Sequence, residues 1–357
     1  MLTVGWKAGK QVRQSFTGAT KEDVRELMNR AIVQRQDGIL PPVSTLTVAN
    51  FLDRWMQHKA GEVRRTSLQS YRGIVENQLK LVLGRERLDK LKPRHIDHLQ
   101  KHIQAKKLSH RTLEHAHTLL HGALNHAVRL ELLPRNVAET VKLPRRSTPR
   151  SEMKVWTAAQ VGVFLEHAQP HRLYALFYLA LSTGMRRGEL MALRWENTDL
   201  EQGFIRVKQS LVELKEGLQI TEPKTRASKR LIPLAADAVD VLRSHRVRQA
   251  QERAQVGTKW QEHDLVCPTS IGTYLDSANL TRAFQQLSKV AGVPVIRLHD
   301  MRHTHASLLA LRGVTPKVIA DRLGHTNVGF TMQVYTHLYD EQRREAAPNL
   351  AELIQPK

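Results

Sequence analysis

Two segments unsuited to regular structure divide this chain of 357 residues into three zones. Pro41 and Pro42 close the first zone, and the stretch 142–150 separates the second from the third. That stretch carries two prolines and four basic residues without apolar periodicity, which predicts a linker suited to contact with a phosphate backbone. At roughly 150 residues per domain, two or three domains are expected.

The first zone, residues 1–42, predicts a hairpin followed by one helix. Residues 2–6 and 11–16 have the composition of short strands around a tight turn. Thr20 with Asp23 three residues later is close to a capping box, and the helix that it starts is expected to end near Gly38.

The second zone, residues 46–143, predicts a helical domain, because apolar residues recur three and four positions apart. The apolar residues form three stripes: Phe51, Leu52, Trp55 and Met56; Leu68, Tyr71, Ile74, Val75 and Leu79; Leu113, Leu119, Leu120, Leu124 and Val128. Asn136 and Val137 are expected to start a short last helix.

The third zone predicts helices around a small sheet. Thr157 with Gln160 forms a capping box for a helix to about Ala168, and an apolar helix from Arg172 is expected to stop at residues 183–184.

Residues 204–234 predict a three-stranded meander that turns at residues 216–217 and again near residues 225–228. Gly292, Gly313 and Gly324 are placed to end three later helices. The predicted fold class is mainly α with small β-sheets (α+β), in which a helical domain precedes a mixed α/β domain.

Positive charge is concentrated in the first 150 residues. The chain has 55 Lys and Arg against 34 Asp and Glu, for a formal net charge of +21. Residues 1–150 hold 28 basic and 13 acidic side chains, whereas residues 151–357 hold 27 and 21. This excess favours nucleic acid as partner over a membrane, since the longest apolar run, residues 173–181, is far too short to span a bilayer.

The cysteine content and the N-terminus favour a cytoplasmic protein. Cys267 is the single cysteine, which excludes an intramolecular disulfide and a Cys-rich zinc module. The N-terminus has no apolar signal-peptide core. The expected class is a soluble, cytoplasmic nucleic-acid-binding protein.

Four separated segments of the third zone place charged or nucleophilic side chains at expected helix ends and turns. The candidate site residues are Arg186 in residues 183–190, Lys224 in residues 223–230, His299 and Arg302 in residues 298–307, and His325 and Tyr335 after Gly324. Each segment alone has an ordinary explanation, such as a surface arginine, a solvated basic turn or a packed tyrosine. Together they supply a nucleophile, an acid for the leaving group and cations for the charge that develops in phosphodiester transesterification.

In this order and spacing, the motifs resemble those of the tyrosine recombinases of the phage-integrase family. The resemblance covers residues 155–340, and the segments 302–307 (Arg-His-Thr-His-Ala-Ser) and 323–326 (Leu-Gly-His-Thr) are near-literal family sequences. Residues 46–143 resemble the family's helical core-binding domain. Residues 1–42 resemble its small arm-binding domain, with two strands where that domain usually has three.

The resemblance implies covalent catalysis by Tyr335. This residue would attack a DNA phosphate, which leaves a 3′-phosphotyrosyl bond and a free 5′-hydroxyl. Arg186 and Arg302 would clamp the non-bridging phosphate oxygens. The covalent bond keeps the energy of the phosphodiester, so that no ATP, metal or other cofactor is implied.

The resemblance also assigns the proton transfers. Lys224 would protonate the departing 5′ oxygen, His299 would accept the proton of the tyrosine, and His325 would donate a hydrogen bond to the phosphate. Tyr339 and Arg187 are neighbouring alternatives, but spacing from His325 and family register favour Tyr335 and Arg186.

The implied substrate is double-stranded DNA with attachment sites. A homotetramer would exchange DNA strands between two such sites and so integrate or excise a mobile element such as a prophage. The resemblance also suggests a host DNA-bending factor and an excisionase as further partners. Residues 144–154 would be the basic linker, and residues 341–357 a tail that packs on a neighbouring subunit.

Other functions stay open at this stage. A non-catalytic basic DNA-binding protein would leave the six site residues as coincidence. A type IB topoisomerase-like enzyme would relax DNA without a defined site, and an Xer-like resolvase usually lacks the first zone. The pairs His98/His102 and His117/His121 have the spacing of metal ligands, as a metal hydrolase would need. Neither pair has a clear third ligand, so a solvated or DNA-facing helix is the preferred interpretation.

Overall fold

A computed structural model describes residues 2–7, 10–14, 16–18, 20–36, 46–146, 154–222, 229–325 and 329. The chain divides into two compact units, Met1–Arg150 and Ser151–Lys357, each of which is described by itself. The described residues are mainly helical with short antiparallel strands, which confirms the predicted α+β class. None of the helices among them is long and apolar enough to cross a membrane.

The first unit begins with the predicted hairpin and helix. Strands β1 (Leu2–Lys7) and β2 (Lys10–Gln14) pair antiparallel, and helix α1 (Lys21–Gln36) follows. The Thr20 N–H donates to Asp23 Oδ2 at 3.0 Å, and the Asp23 N–H donates to Thr20 Oγ1 at 3.1 Å, which confirms the cap. The second strand ends two residues earlier than predicted, and the predicted end of the helix lies outside the described residues.

The rest of the first unit is helical, as predicted. Its elements are α2 (Val48–Glu62), α3 (Arg65–Ile74), a π-helical turn (Val75–Lys80), α4 (Leu81–Leu83), α5 (Pro93–Ala105) and α6 (His110–Arg129), with 3-10 turns at Leu88–Lys90 and Val137–Thr140. Thr47 and Ser109 cap α2 and α6 by accepting from the N–H three residues later, at 3.3 and 3.1 Å. The last turn is the predicted short helix, in which the Asn136 side chain accepts from the Ala138 N–H at 2.9 Å.

The three predicted apolar stripes meet in one core. Its fully buried members include Phe51, Trp55, Leu79, Leu120 and Leu124. A few stripe residues are only partly buried at the edge of this core: Leu68, Tyr71, Ile74 and Val128. Burial of each large apolar side chain stabilises the fold by about 1.5–3 kcal/mol, and the sum of these contributions holds the helices together.

The second unit follows the predicted order of helices and strands. Its elements are α7 (Ala158–Ala168), α8 (Tyr174–Thr183), α9 (Arg187–Met191), β3 (Thr198–Asp199), β4 (Phe204–Val207), β5 (Ser210–Leu214), β6 (Gly217–Thr221), β7 (Arg230–Pro233), α10 (Ala236–Val256), α11 (Ser277–Val290), α12 (Asp300–Leu311) and α13 (Pro316–Leu323). The Thr157 N–H donates to Gln160 Oε1 at 3.0 Å, and the Gln160 N–H donates to Thr157 Oγ1 at 3.3 Å, as the capping box predicts. Gly292, Gly313 and Gly324 follow α11, α12 and α13 with φ of 66°, 77° and 69°, so the predicted helix ends are confirmed.

Residues 204–234 do not form the predicted three-stranded meander. Strand β4 pairs antiparallel with β3 and with β7, whereas β5 and β6 form a separate hairpin. The prediction is wrong because period-2 patterning locates strands without identifying their partners, and the partner of β4 lies beyond the hairpin. The turn predicted at residues 216–217 does join β5 to β6, and the turn predicted near residues 225–228 lies outside the described residues.

The core of the second unit surrounds α8. Phe177 of α8 packs with three other aromatic rings, with neighbouring centroids 4.8–5.8 Å apart: Trp156, Phe164 and Phe284. Cys267 is buried in the same cluster. The C-terminal end of α8 is thereby fixed, and the chain leaves it through Gly184, which has φ of 65°.

Candidate active site

Arg186 lies directly after the buried end of α8. Gly184 turns the chain in the left-handed conformation, Met185 is buried, and Arg186 becomes the N-cap residue of α9. The Arg186 guanidinium donates to Glu189 Oε1 and to the Gly324 carbonyl, both at 2.9 Å. Its side chain is 36% exposed, so the guanidinium is oriented and still accessible to a ligand.

Arg302 extends from the first turn of α12 and is 3% exposed. It donates through one terminal nitrogen to the Gly184 carbonyl and through the other to the Leu323 carbonyl, each at 2.7 Å. A guanidinium is costly to bury unless its donors are paired, and these two carbonyls each pair with one of its terminal nitrogens. Arg302 therefore joins the end of α8 to the end of α13.

Glu189 and Arg230 form a buried ion pair beside Arg186. The two terminal nitrogens of Arg230 donate to Glu189 Oε1 at 3.2 Å and to Glu189 Oε2 at 2.9 Å. Burial alone would raise the pKa of Glu189, but the hydrogen bonds and charge of Arg230, and then of Arg186, bring it below its ordinary value. Glu189 is therefore a carboxylate at neutral pH.

Three consecutive carbonyls at the end of α13 each accept a hydrogen bond from a different arginine. The Arg322 carbonyl accepts from Arg230 Nε at 2.7 Å, and the next two, of Leu323 and Gly324, accept from Arg302 and Arg186. The last carbonyls of a helix have no intrahelical partner and carry partial negative charge, which suits guanidinium donors. The end of α13 thus fixes three cations that come from three other elements.

His299 immediately precedes α12. Its ring meets the ring of His303 edge-on, with centroids 5.2 Å apart. Burial, and then the charge of Arg302, holds the pKa of His299 below its ordinary value. A neutral imidazole at neutral pH is able to accept a proton.

His325 follows Gly324, the C-cap residue of α13. Its backbone N–H donates to the Ala320 carbonyl at 2.9 Å. Burial, followed by the charges of Arg302 and Arg186, lowers the pKa of His325 to about 4. The neutral ring keeps one N–H, which is the donor that a phosphate oxygen requires.

His305 is a structural member of the cluster. Its Nδ1 lies 2.8 Å from the Leu181 carbonyl, and Arg322 Nε donates to its Nε2 at 3.3 Å, so Nδ1 carries the proton. Burial, and then the charge of Arg322, lowers the pKa of His305 to about 4. Arg322 also donates to the Ser182 and Pro233 carbonyls at 3.0 and 3.2 Å.

The structure brings four of the six predicted site residues together: Arg186, His299, Arg302 and His325. Lys224, Tyr335 and the alternative Tyr339 lie outside the described residues. Sequence reasoning missed Glu189, Arg230 and Arg322. Glu189 could have been found from its place three residues after the expected helix start, where a Glu side chain accepts from the N-cap backbone N–H. Nothing local to residues 230 and 322 marks them as members of this cluster.

The histidine pairs of the first unit do not extend into a metal-binding cluster. Across the described residues, no group of three or more His, Cys, Asp or Glu side chains has a geometry that could hold a metal ion. The rings of His117 and His121 lie 6.5 Å apart, and His121 Nδ1 is 3.4 Å from the Asn125 amide nitrogen.

Two family models match the chain. The phage integrase family model matches residues 154–342, and the model of the phage integrase N-terminal SAM-like domain matches residues 47–104. The first range contains the cluster of arginines and histidines, and the second lies in the helical part of the first unit. The protein is a tyrosine-type site-specific recombinase.

Relatives match over most of the chain. A XerC-like tyrosine recombinase of Caldanaerobacter subterraneus is 27% identical over 97% of this chain and 93% of its own length. An integrase of Streptomyces ambofaciens is 30% identical over 92% and 86%, and the ICEBs1 integrase of Bacillus subtilis is 27% identical over 97% and 94%. The chain belongs to the phage integrase family.

Solved structures share the fold. The Tn1549 transposon integrase in complex with a circular intermediate DNA has a TM-score of 0.71 at 21% identity, over 85% of this chain and 100% of that chain. A lambda integrase dimer bound to a COC′ core site has a TM-score of 0.61 at 18% identity, over 81% and 95%.

Proposed function

We propose that the chain cuts and rejoins DNA at attachment sites through a 3′-phosphotyrosyl bond to Tyr335. The observation that carries the proposal is the convergence of Arg186 and Arg302 on the end of α13, directly before His325. Two oriented guanidiniums beside neutral imidazoles suit a phosphodiester whose negative charge increases in the transition state.

Each of the four described site residues is assigned one role in this reaction. Arg186 and Arg302 bind the two non-bridging oxygens, His299 accepts the proton of the attacking hydroxyl, and His325 donates to the phosphate. The lowered pKa values of the two histidines keep both rings neutral near pH 7, as these roles need.

The roles of Lys224 and Tyr335 rest on chain connectivity. Lys224 belongs to the segment between β6 and β7, and Arg230 at the start of β7 is bonded to Glu189 in the cluster. Tyr335 follows His325 by ten residues. Lys224 is therefore proposed to protonate the departing 5′ oxygen, and Tyr335 to be the nucleophile.

The proposed organisation follows from charge and fold. Residues 46–143 are proposed to bind the core DNA site, residues 144–154 to be the linker, residues 155–340 to catalyse, residues 341–357 to be a tail, and residues 1–42 to bind arm-type sites.

The proposed working form is a homotetramer on DNA. A solved lambda integrase tetramer bound to a Holliday junction has a related fold, with a TM-score of 0.62 to this chain. The reaction is proposed to take place in the cytoplasm and to integrate or excise a mobile element, with a host DNA-bending factor and an excisionase as further proposed partners.

Covalent trapping tests the proposal. The full chain is incubated in chelator with a nicked duplex built from the sequence that it selects in DNA flanking its own gene, and the mixture is run on a denaturing gel. The expected result is an adduct with the wild type and with Tyr339→Phe, and none with Tyr335→Phe. Specific binding without any adduct would instead indicate a DNA-binding protein without strand cleavage.

A further inference from the structure

All three guanidinium nitrogens of Arg230 donate to groups of the protein. Its side chain is 7% exposed, its Nε donates to the Arg322 carbonyl at 2.7 Å, and both terminal nitrogens donate to Glu189. A guanidinium bound along both edges cannot turn toward a ligand without breaking this set of bonds. Arg230 is thus oriented toward the protein.

Glu189 is shared between two arginines. Besides Arg230, its Oε2 accepts from the Arg186 backbone N–H, and its Oε1 accepts from the Arg186 guanidinium, both at 2.9 Å. The carboxylate is 3% exposed, whereas the Arg186 side chain is 36% exposed. The buried carboxylate therefore sets both the backbone and the guanidinium of the residue that is accessible to DNA.

We propose that Arg230 is a positioning residue, which fixes the Glu189 carboxylate so that Glu189 orients Arg186 for the phosphate. This inference rests on the proposed phosphate-binding role of Arg186. Arg230 acts through Glu189 and does not itself touch the phosphate.

Removal of Arg230 has two physical consequences. The Glu189 carboxylate loses a bidentate partner and can move with Arg186, and a small misplacement of a phosphate clamp costs up to about 100-fold in rate. The charged groups that lower the pKa of Glu189 are Arg230 and Arg186. Without Arg230 the larger of these two contributions is lost, so the pKa of Glu189 is expected to rise and its protonation to affect the reaction.

A double-mutant cycle tests the inference. The rate of covalent adduct formation is measured in chelator with the nicked duplex for the wild type, Arg230→Gln, Glu189→Gln and the double variant. Each single variant is expected to slow the reaction about 10- to 100-fold. The double variant is expected to be no slower than Glu189→Gln, because Arg230 acts through Glu189. Multiplied single effects would overturn the inference, since they would mean that Arg230 acts independently of Glu189.

The pH profile separates positioning from general destabilisation. Arg230→Gln is expected to gain a rise in rate with pH as Glu189 loses its proton, and this rise is expected to be absent from the wild type and from Glu189→Gln. Arg230→Lys keeps the positive charge, so it is expected to lack the new rise and to recover part of the rate. A profile of Arg230→Gln that parallels the wild type would overturn the inference.

Two controls complete the design. Arg243→Gln removes an arginine from an exposed ion pair with Glu201 in the same unit, and it is expected to react at the wild-type rate. Arg230→Gln with the wild-type rate would overturn this inference alone. Absence of an adduct with the wild type would overturn the proposed function together with it.

Discussion

His305 is a neutral side chain in the folded protein under conditions where it would be charged in the unfolded chain. Its pKa is about 4 when folded, against about 6.5 when exposed. Above pH 6.5 the His305 side chain is neutral in both the folded and the unfolded chain, so its ionisation does not lower the free energy of unfolding. As the pH falls from 6.5 to 4, the unfolded chain binds a proton that the folded chain does not, so stability is lost across this window.

We predict that this difference in the pKa of His305 lowers the free energy of unfolding by about 2 kcal/mol between pH 7 and pH 5. Urea unfolding of the full chain at the two pH values measures it. His305→Asn is expected to reduce the pH-dependent loss, whereas His167→Asn, at an exposed position, is expected to leave the loss unchanged. An equal loss in His305→Asn and in the wild type would contradict the prediction.

At the residue scale, the sequence predicts the four described site residues but not the buried ion pair that orients one of them. Arg186, His299, Arg302 and His325 each stand in a short motif, and each is found beside the others. Glu189 and Arg230 are 41 positions apart, and no spacing rule relates them. Only the tertiary structure shows that Arg230 of β7 pairs with Glu189 of α9.

The contact between α9 and β5 determines where Arg186 is placed. A Cβ atom added at Gly188 would lie 2.5 Å from the Leu211 carbonyl oxygen and 2.5 Å from Ser210 Oγ. Helix α9 therefore packs backbone to backbone on the hairpin, and only glycine permits this approach.

We predict that Gly188→Ala slows adduct formation at least about tenfold, since a shift of α9 moves the Arg186 guanidinium and a 1 Å misplacement costs up to about 100-fold. Gly162→Ala is the matched control, because that glycine is also helical and an added Cβ would meet nothing within 4 Å. The control is expected to gain about 0.5–1 kcal/mol of stability and to keep the wild-type rate. Equal rates for both variants would contradict the prediction.

At the element scale, local interactions were predictable and distant pairings were not. The caps at Thr20 and Thr157 depend on side chains three residues away, and the structure confirms both. The partner of β4 lies beyond the inserted hairpin, so its identity depends on tertiary packing. Helix ends at glycines were equally local, because φ is set at a single residue.

At the scale of the whole molecule, charge dominates the expected behaviour. Residues 1–150 carry 28 basic and 13 acidic side chains, and each phosphate that they neutralise releases condensed counterions. We predict that the affinity of the full chain for its selected duplex falls about a thousandfold or more between 50 and 200 mM salt, as for proteins with roughly six or more phosphate contacts. Fluorescence anisotropy at several salt concentrations measures this slope, and an affinity that is independent of salt would contradict the prediction.

The buried thiol of Cys267 makes the protein suited to site-directed labelling. Burial raises the pKa of this thiol to about 12, so maleimide reagents, which attack thiolates, are expected to leave it unmodified in the folded chain. Cysteines introduced at Leu81 and Val290, which are 60% and 66% exposed, would then be the reactive sites, one in each unit. A donor and acceptor pair at these two positions would report, molecule by molecule, whether the distance between the units changes when DNA is added.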